Sequence, residues 1–133
     1  MRYNKIIFIV IISFTYLSKS VASVENNIIL KVENQIITNF EIKNKIISTL
    51  ILGNQEINQV NINKLKKQAL DFLIQHKLKT IELSKYNFKK DNKQIENYLN
   101  AISNNNINNL KEKFSNNNID FQLFLDELEI HFK

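Results

Sequence analysis

The sequence predicts a small, mostly α-helical domain of about five helices around a long central helix, with a short β-hairpin at its N-terminal end. Three observations support this fold class. Apolar residues recur at helical spacing along most of the chain. Asparagine-rich breaks separate the helical segments. The loose alternation of apolar and polar residues that is typical of a strand occurs near residue 30. The length of 133 residues suits a single domain.

The N-terminal residues have the layout of a secretory signal. Arg2 and Lys5 precede an apolar run from Ile6 to Leu17, and the small residues of Ser20-Val21-Ala22 suit cleavage after Ala22. The run is shorter than the roughly 20 residues that a helix needs to cross a bilayer core. We therefore expect a cleaved signal and not a retained anchor.

This division assigns residues 1–22 to the signal and residues 23–133 to one exported, soluble domain. Without the basic residues of the signal, 15 basic and 13 acidic side chains remain, so the charge indicates no nucleic-acid partner. The chain has no cysteine, which excludes disulfides, thiol chemistry and a lipoprotein anchor. A single glycine excludes glycine-rich phosphate loops, dinucleotide fingerprints and nucleophile elbows.

The hairpin is predicted from two short apolar segments. Ile28 to Val32 alternates loosely, Glu33-Asn34-Gln35 is a polar break, and Ile36-Ile37 resumes the apolar run. Asn34 is able to take a left-handed conformation in the turn.

The first helix is predicted to begin near Asn39. Thr38 and Glu41 have the spacing of a capping box, in which each side chain satisfies a free backbone amide. Gly53-Asn54 supplies a left-handed stop after Leu52. The helix has a broad apolar face made of Phe40, Ile42, Ile46, Ile47, Leu50 and Ile51.

The longest helical pattern runs from Asn63 to about Tyr86. Its apolar residues fall on two nearly opposite sides, which leaves the polar residues on one narrow flank. Because a helix that is apolar on most sides is normally enclosed by its neighbours, we predict that it is the central helix.

Three shorter helices complete the fold. One runs from Asn92 to about Ser103, and asparagine breaks at 104–106 and 116–118 bracket another that carries Leu110 and Phe114. The last begins at about Asp120, and its core face consists of Phe121, Phe124, Leu125, Leu128 and Phe132.

No catalytic, cofactor-binding or metal-binding residues are predicted. His76 and His131 lie on different helices, and neither has a histidine or carboxylate three or four residues after it to make a metal pair. The acids Asp126, Glu127 and Glu129 point in different directions on one helix and form a solvated face. We therefore expect that the chain is not an enzyme.

Two segments carry a resemblance to a known family. Residues 29–42 (Ile-Leu-Lys-Val-Glu-Asn-Gln-Ile-Ile-Thr-Asn-Phe-Glu-Ile) are similar to the opening strand, turn, strand and helix cap of the N-terminal domain of SurA, the periplasmic chaperone of outer-membrane proteins. Residues 70–78 resemble the central-helix signature of that domain, and Asn116 to Phe132 its closing loop and helix. An Asn-Gly turn is more usual in the family than the Asn34-Gln35 of this chain.

The resemblance implies a periplasmic chaperone that holds unfolded outer-membrane proteins without ATP or a cofactor. Self-association or a separate isomerase chain would be further partners. SurA proteins continue into parvulin isomerase domains, whereas this sequence stops at Lys133, so prolyl isomerase activity is not implied. Two alternatives remain: the N-terminal piece of a split or truncated parvulin-type isomerase, and an adaptor protein of the cell envelope.

One apolar stripe is a candidate peptide-binding surface. Ile119, Leu123 and Ile130 fall opposite the core face of the last helix, where a surface helix is normally polar. They suit a groove for extended apolar segments. Internal packing against the hairpin or the central helix is the interpretation that we favour.

The signal assignment predicts a defined mature N-terminus. When the full chain is expressed in a Gram-negative host, the periplasmic fraction should contain a protein that begins at Ser23, as measured by intact-mass spectrometry. Ala22→Asp should block cleavage, because signal peptidase requires a small residue before the cut. A full-length, membrane-bound product of the unchanged sequence would contradict the assignment.

Overall fold

The computed structural model describes residues 26–86, 88 and 91–133, and it confirms the predicted fold class. The proposed signal and the cleavage position after Ala22 lie outside these residues. Within the described part, no helix is both long enough and apolar enough to cross a membrane. The elements are β1 (Ile28–Val32), β2 (Gln35–Thr38), α1 (Asn39–Leu52), α2 (Gln59–Ser84), α3 (Asn92–Ile102), α4 (Ile107–Asn116) and α5 (Phe121–His131).

Strands β1 and β2 form the predicted antiparallel hairpin. Val32 lies opposite Gln35, so Glu33 and Asn34 make a two-residue turn. The left-handed residue is Glu33, with φ of 52°, and not Asn34. Two-residue hairpin turns match the twist of their strands when the first turn residue has positive φ, and this requirement outweighs the intrinsic preference of asparagine for that conformation.

The capping box at the start of α1 is confirmed. The Thr38 hydroxyl accepts a hydrogen bond from the Glu41 amide at 3.2 Å, and the Thr38 amide donates to the Glu41 carboxylate at 2.9 Å. At the other end, Asn54 takes the left-handed conformation, with φ of 48°, whereas Gly53 has φ of −81°. The predicted left-handed stop is therefore made by asparagine alone.

Asparagine takes the place of glycine in the two later polar breaks as well. Asn104, Asn105 and Asn118 have φ between 50° and 60° in the two polar breaks that separate the last three helices. Asparagine tolerates this region better than other residues with a β-carbon, because its short side chain bonds locally to the backbone. A chain with one glycine can thus still form several tight loops.

Helix α2 begins earlier than predicted. It starts at Gln59 and not at Asn63, because the Asn58 side chain caps it by accepting a hydrogen bond from the Asn61 amide at 2.9 Å. It is also less enclosed than we expected, since Ala69 and Leu73 are its only buried residues. A helix of 26 residues is about 39 Å long, and helices of 10 to 14 residues cover only one of its sides.

The core lies around α1, which packs against α2, α4, α5 and β2. Leu50 of α1 and Phe114 of α4 are completely buried. The Phe114 ring contacts Phe121 and Phe124, with centroid distances of 5.2 and 5.5 Å. The predicted core face of α5 is confirmed, because Phe124 and Leu128 are buried and Phe121, Leu125 and Phe132 pack against the same cluster.

Asn44 joins the middle of α1 to the start of α5. Its amide nitrogen donates to the Asp120 carbonyl at 2.9 Å, and its amide oxygen accepts from the Asp120 amide at 2.6 Å. Asn44 is 3% exposed, and both hydrogen bonds are partly buried although Asp120 itself reaches the surface. Asp120 is itself the N-cap of α5, and Asn44 therefore fixes where that helix begins.

We predict that Asn44→Ala lowers the free energy of unfolding by about 1–3 kcal/mol, because two partly buried hydrogen bonds are lost. Urea denaturation followed by circular dichroism measures the loss. Asn97→Ala on the exposed side of α3 is the matched control, and it should change stability by less than about 0.5 kcal/mol. Equal stabilities of the two variants would contradict the role assigned to Asn44.

Candidate functional site

An apolar groove lies where β1, α1 and α2 meet. It encloses about 510 Å³ and is open to solvent along one side. Six of its lining residues are aliphatic and the others are two lysines and an asparagine; they are Ile29, Asn39, Ile42, Lys43, Ile46, Ile47, Ile62, Lys66 and Leu70. A pocket of this size and composition is the usual form of a binding site for an apolar ligand.

The two helical walls follow from side-chain spacing. On α1 the lining residues recur at intervals of three and four from Asn39 to Ile47, which is one stripe of a helix. On α2 they recur every four residues, at Ile62, Lys66 and Leu70, which is one ridge. The groove is the space between this stripe and this ridge.

The hairpin provides the third wall and an adjoining apolar surface. Ile29 lies at an irregularity in the register of β1, where Ile28 pairs with Thr38 and Leu30 with Ile37, and it lines the groove. Ile28, Ile29 and Leu30 are 63%, 50% and 38% exposed. Consecutive exposed aliphatic residues on a strand are unusual, which makes this surface a candidate for contact with another molecule.

The charges in the groove are all positive. Lys43 stands on the α1 wall and Lys66 on the α2 wall, and no acidic residue lines the groove. Within the described part of the chain, neither lysine forms an ion pair or a hydrogen bond through its ammonium group. Both ammonium groups are therefore available to a ligand.

The opposite side of α1 is polar and buried. Glu41, Asn44, Lys45 and Ser48 lie at helical spacing and face α2 and α5. Lys45 pairs with Glu127 of α5 at 2.6 Å, and Glu41 pairs with Lys77 of α2 at 2.6 Å. The Lys45 ammonium also lies 3.4 Å from the centre of the Phe72 ring, a cation–π contact.

These ion pairs surround a small cavity of about 90 Å³ between α1, α2 and α5. Burial raises the pKa of the Glu127 carboxyl above its ordinary value of 4.5, although the attraction of Lys45 acts in the opposite direction. The four charges of these two ion pairs neutralise one another. We therefore interpret this cluster as a connection between three helices.

His76 lies beside the cluster and stacks on Phe72, with ring centroids 6.0 Å apart. Its Nε2 atom is buried and has no hydrogen-bond partner. Burial, and secondarily the positive charges of Lys77 and Lys45, lowers the pKa of His76 below its ordinary value of 6.5. The neutral imidazole is therefore the form that the folded protein favours.

The structure separates the three residues that the sequence suggested for peptide binding. Ile119 is 7% exposed and belongs to the core, so it contacts no ligand in this conformation. Leu123 is half-buried and lines the cavities between α5, the hairpin and Lys77, and Ile130 is also half-buried. Internal packing accounts for Ile119, and a role of Leu123 and Ile130 in peptide binding stays a prediction.

The groove was not predicted from the sequence, in which Ile42, Ile46 and Ile47 were only part of the broad apolar face of α1; the structure uses Ile46 and Ile47 both in the core and in the groove wall. The spacing of Glu41, Asn44, Lys45 and Ser48 was an available signal, since a polar stripe beside an apolar one divides α1 into two different faces. No signal in the sequence indicated which face would stay uncovered.

Metal binding has no geometric support in residues 26–86, 88 and 91–133, where no three histidine, aspartate or glutamate side chains come close enough to hold an ion. Comparison with known proteins gave no match to a family model, to a curated protein or to a solved structure. The resemblance to SurA therefore stays a prediction that rests on the quoted segments.

The lowered pKa of His76 predicts a loss of stability in mild acid. The unfolded chain binds a proton near pH 6.5, whereas the folded protein resists it, so stability is complete above that pH and falls as the pH decreases toward the folded pKa. For one group the slope is at most about 1.4 kcal/mol per pH unit.

Urea denaturation at pH 7.5, 6.5 and 5.5 tests this prediction by comparing the unchanged chain with His76→Gln. As the pH falls, the unchanged chain should lose more unfolding free energy than His76→Gln does. The ionisation of Glu127 is common to both proteins and cancels in this difference to first order. A difference that is constant over the three pH values would exclude His76 as the source.

Proposed function

We propose that this chain is a periplasmic, ATP-independent chaperone that holds unfolded segments of outer-membrane proteins in the apolar groove between β1, α1 and α2. The observation that carries the proposal is the open groove of about 510 Å³ with its aliphatic walls, next to the exposed isoleucines of the hairpin. The export signal and the resemblance to the SurA N-terminal domain support the same function.

Binding in such a groove depends on burial of apolar side chains. Each large aliphatic or aromatic side chain that leaves water contributes about 1.5–3 kcal/mol, and ordering of the segment offsets part of this gain. Two or three such side chains give dissociation constants of roughly micromolar to millimolar magnitude. Weak binding of this kind releases a client readily, without an energy source.

The groove selects for apolar character more than for a particular sequence. Its walls are aliphatic and contain no acidic residue and no ring. Aliphatic contacts adapt to side chains of different shape, whereas buried hydrogen-bonding groups reject a ligand that leaves them unpaired. Clients with different sequences could therefore share this site, as a general holdase requires.

The proposal predicts that the purified periplasmic protein, at stoichiometric amounts, suppresses aggregation of an unfolded outer-membrane protein diluted from urea. Light scattering measures the suppression, with an inert protein of similar size as the reference. If the well-folded protein has no effect, the holdase function fails. An adaptor with one partner, or a piece of a split isomerase, would then be the better explanation.

Two hairpin variants test whether the groove is the site. Ile29→Asn removes an apolar residue that lines the groove, and Ile36→Asn makes the same change at a residue of similar exposure outside it. We expect Ile29→Asn to raise the concentration needed for half-suppression at least about threefold, since one aliphatic contact is lost. Ile36→Asn should stay within error of the unchanged chain. Equal losses in both variants would assign the activity to another surface.

A further inference from the structure

The charges of the groove point to the kind of segment that it holds. We infer that the groove prefers extended apolar segments that carry a carboxylate, either as an acidic side chain or as a chain terminus. This inference rests on the proposed function and adds a rule of selection to it. Lys43 and Lys66 would provide this preference, because they have no ion-pair partners among the described residues and stand beside aliphatic side chains.

The first step is a contrast among the lysines of α1 and α2. Lys45 of α1 and Lys77 of α2, which both lie at the polar side of α1, each pair with a glutamate at 2.6 Å. Lys43 and Lys66, which line the groove, have no ion-pair partner among the residues that the structure describes. Lys64 and Lys67 of α2 also have no ion-pair partner among these residues, so Lys43 and Lys66 are distinguished from them by lining the apolar groove.

The second step concerns the location of these two charges. One stands on each helical wall, so both lie beside a segment that occupies the groove. The loop of residues 53–58 joins α1 to α2, and the ion pair between Glu41 and Lys77 connects the start of α1 with the far half of α2. The two helices therefore run antiparallel and form the two sides of one channel.

The third step is energetic. A carboxylate that binds beside aliphatic walls loses part of its water, and in such surroundings an ion pair is stronger than on an open surface. A positively charged segment meets two like charges and no acid, so it is disfavoured. Because the lysines are solvent-exposed, we expect the preference to be modest, about three- to fivefold.

The test uses three fluorescein-labelled peptides that share one apolar sequence of leucine, valine, phenylalanine and serine and differ only at the central residue, which is glutamate, glutamine or lysine. Fluorescence anisotropy with the purified full chain gives their affinities. We expect the glutamate peptide to bind about three- to fivefold tighter than the glutamine peptide, and the lysine peptide to bind weakest. Raising NaCl from about 50 to 500 mM should reduce the difference.

Two double variants identify the responsible lysines. Lys43→Gln with Lys66→Gln should abolish the preference and keep binding of the glutamine peptide. Lys64→Gln with Lys67→Gln removes the same charge from exposed positions of α2 outside the groove and should keep the preference. A preference that survives the first double variant would overturn the inference.

Other results separate the inference from the proposed function. Equal affinity for the three peptides would overturn the selection rule and leave a groove for apolar segments in place. No binding of any peptide would overturn both. Displacement of the peptides by dodecanoate at far lower concentration would assign the groove to a small anionic amphiphile instead. A dimer in sedimentation velocity that Ile29→Asn abolishes would assign it to a second copy of the chain.

Discussion

The burial of α1 is the constraint on which the rest of the domain depends. This helix contacts α2, α4, α5 and β2, and its side chains meet different neighbours on different sides. The aliphatic side chains of Leu50 and Ile46 hold it in the core with Phe114. Asn44 fixes how α5 is placed against α1, because its side chain forms two hydrogen bonds with the backbone of Asp120. Without α1 in place, neither the ion-pair cluster nor the groove would have its walls.

The two faces of α1 beside the core differ in a way that bears on function. One face carries Glu41, Asn44, Lys45 and Ser48. Helices α2 and α5 cover it, and their side chains form ion pairs with Glu41 and Lys45. The other face carries Ile42, Lys43, Ile46 and Ile47 and forms the α1 wall of the groove, where Ile46 and Ile47 are themselves core residues, 3% and 6% exposed. The aliphatic side chains that the fold leaves exposed beside this wall are those of the hairpin, Ile28, Ile29 and Leu30. Their exposure forgoes free energy of burial. We propose that binding of apolar segments accounts for it.

Sequence reasoning predicted the elements well because their causes are local. Thr38 and Glu41 indicated the start of α1, and the asparagine breaks indicated the loops that precede α4 and α5. The groove could not be predicted, because side-chain spacing shows which residues share a face but not which neighbour covers that face. The pairing of Lys45 with Glu127 joins residues 82 positions apart, and no spacing rule connects them. Ile119, a candidate for a binding stripe, is a core residue, in agreement with the internal packing that we favoured for that stripe.

The central claim is that unfolded segments bind between β1, α1 and α2. A titration of the ¹⁵N-labelled protein with an unfolded outer-membrane protein segment, followed by NMR, tests it most directly, because each backbone amide reports its own surroundings. The account predicts chemical-shift changes concentrated at the groove, at Ile29, Lys43 and Lys66, with little change on α3. Changes concentrated at Leu123 and Ile130 on α5, with the groove unaffected, would contradict it.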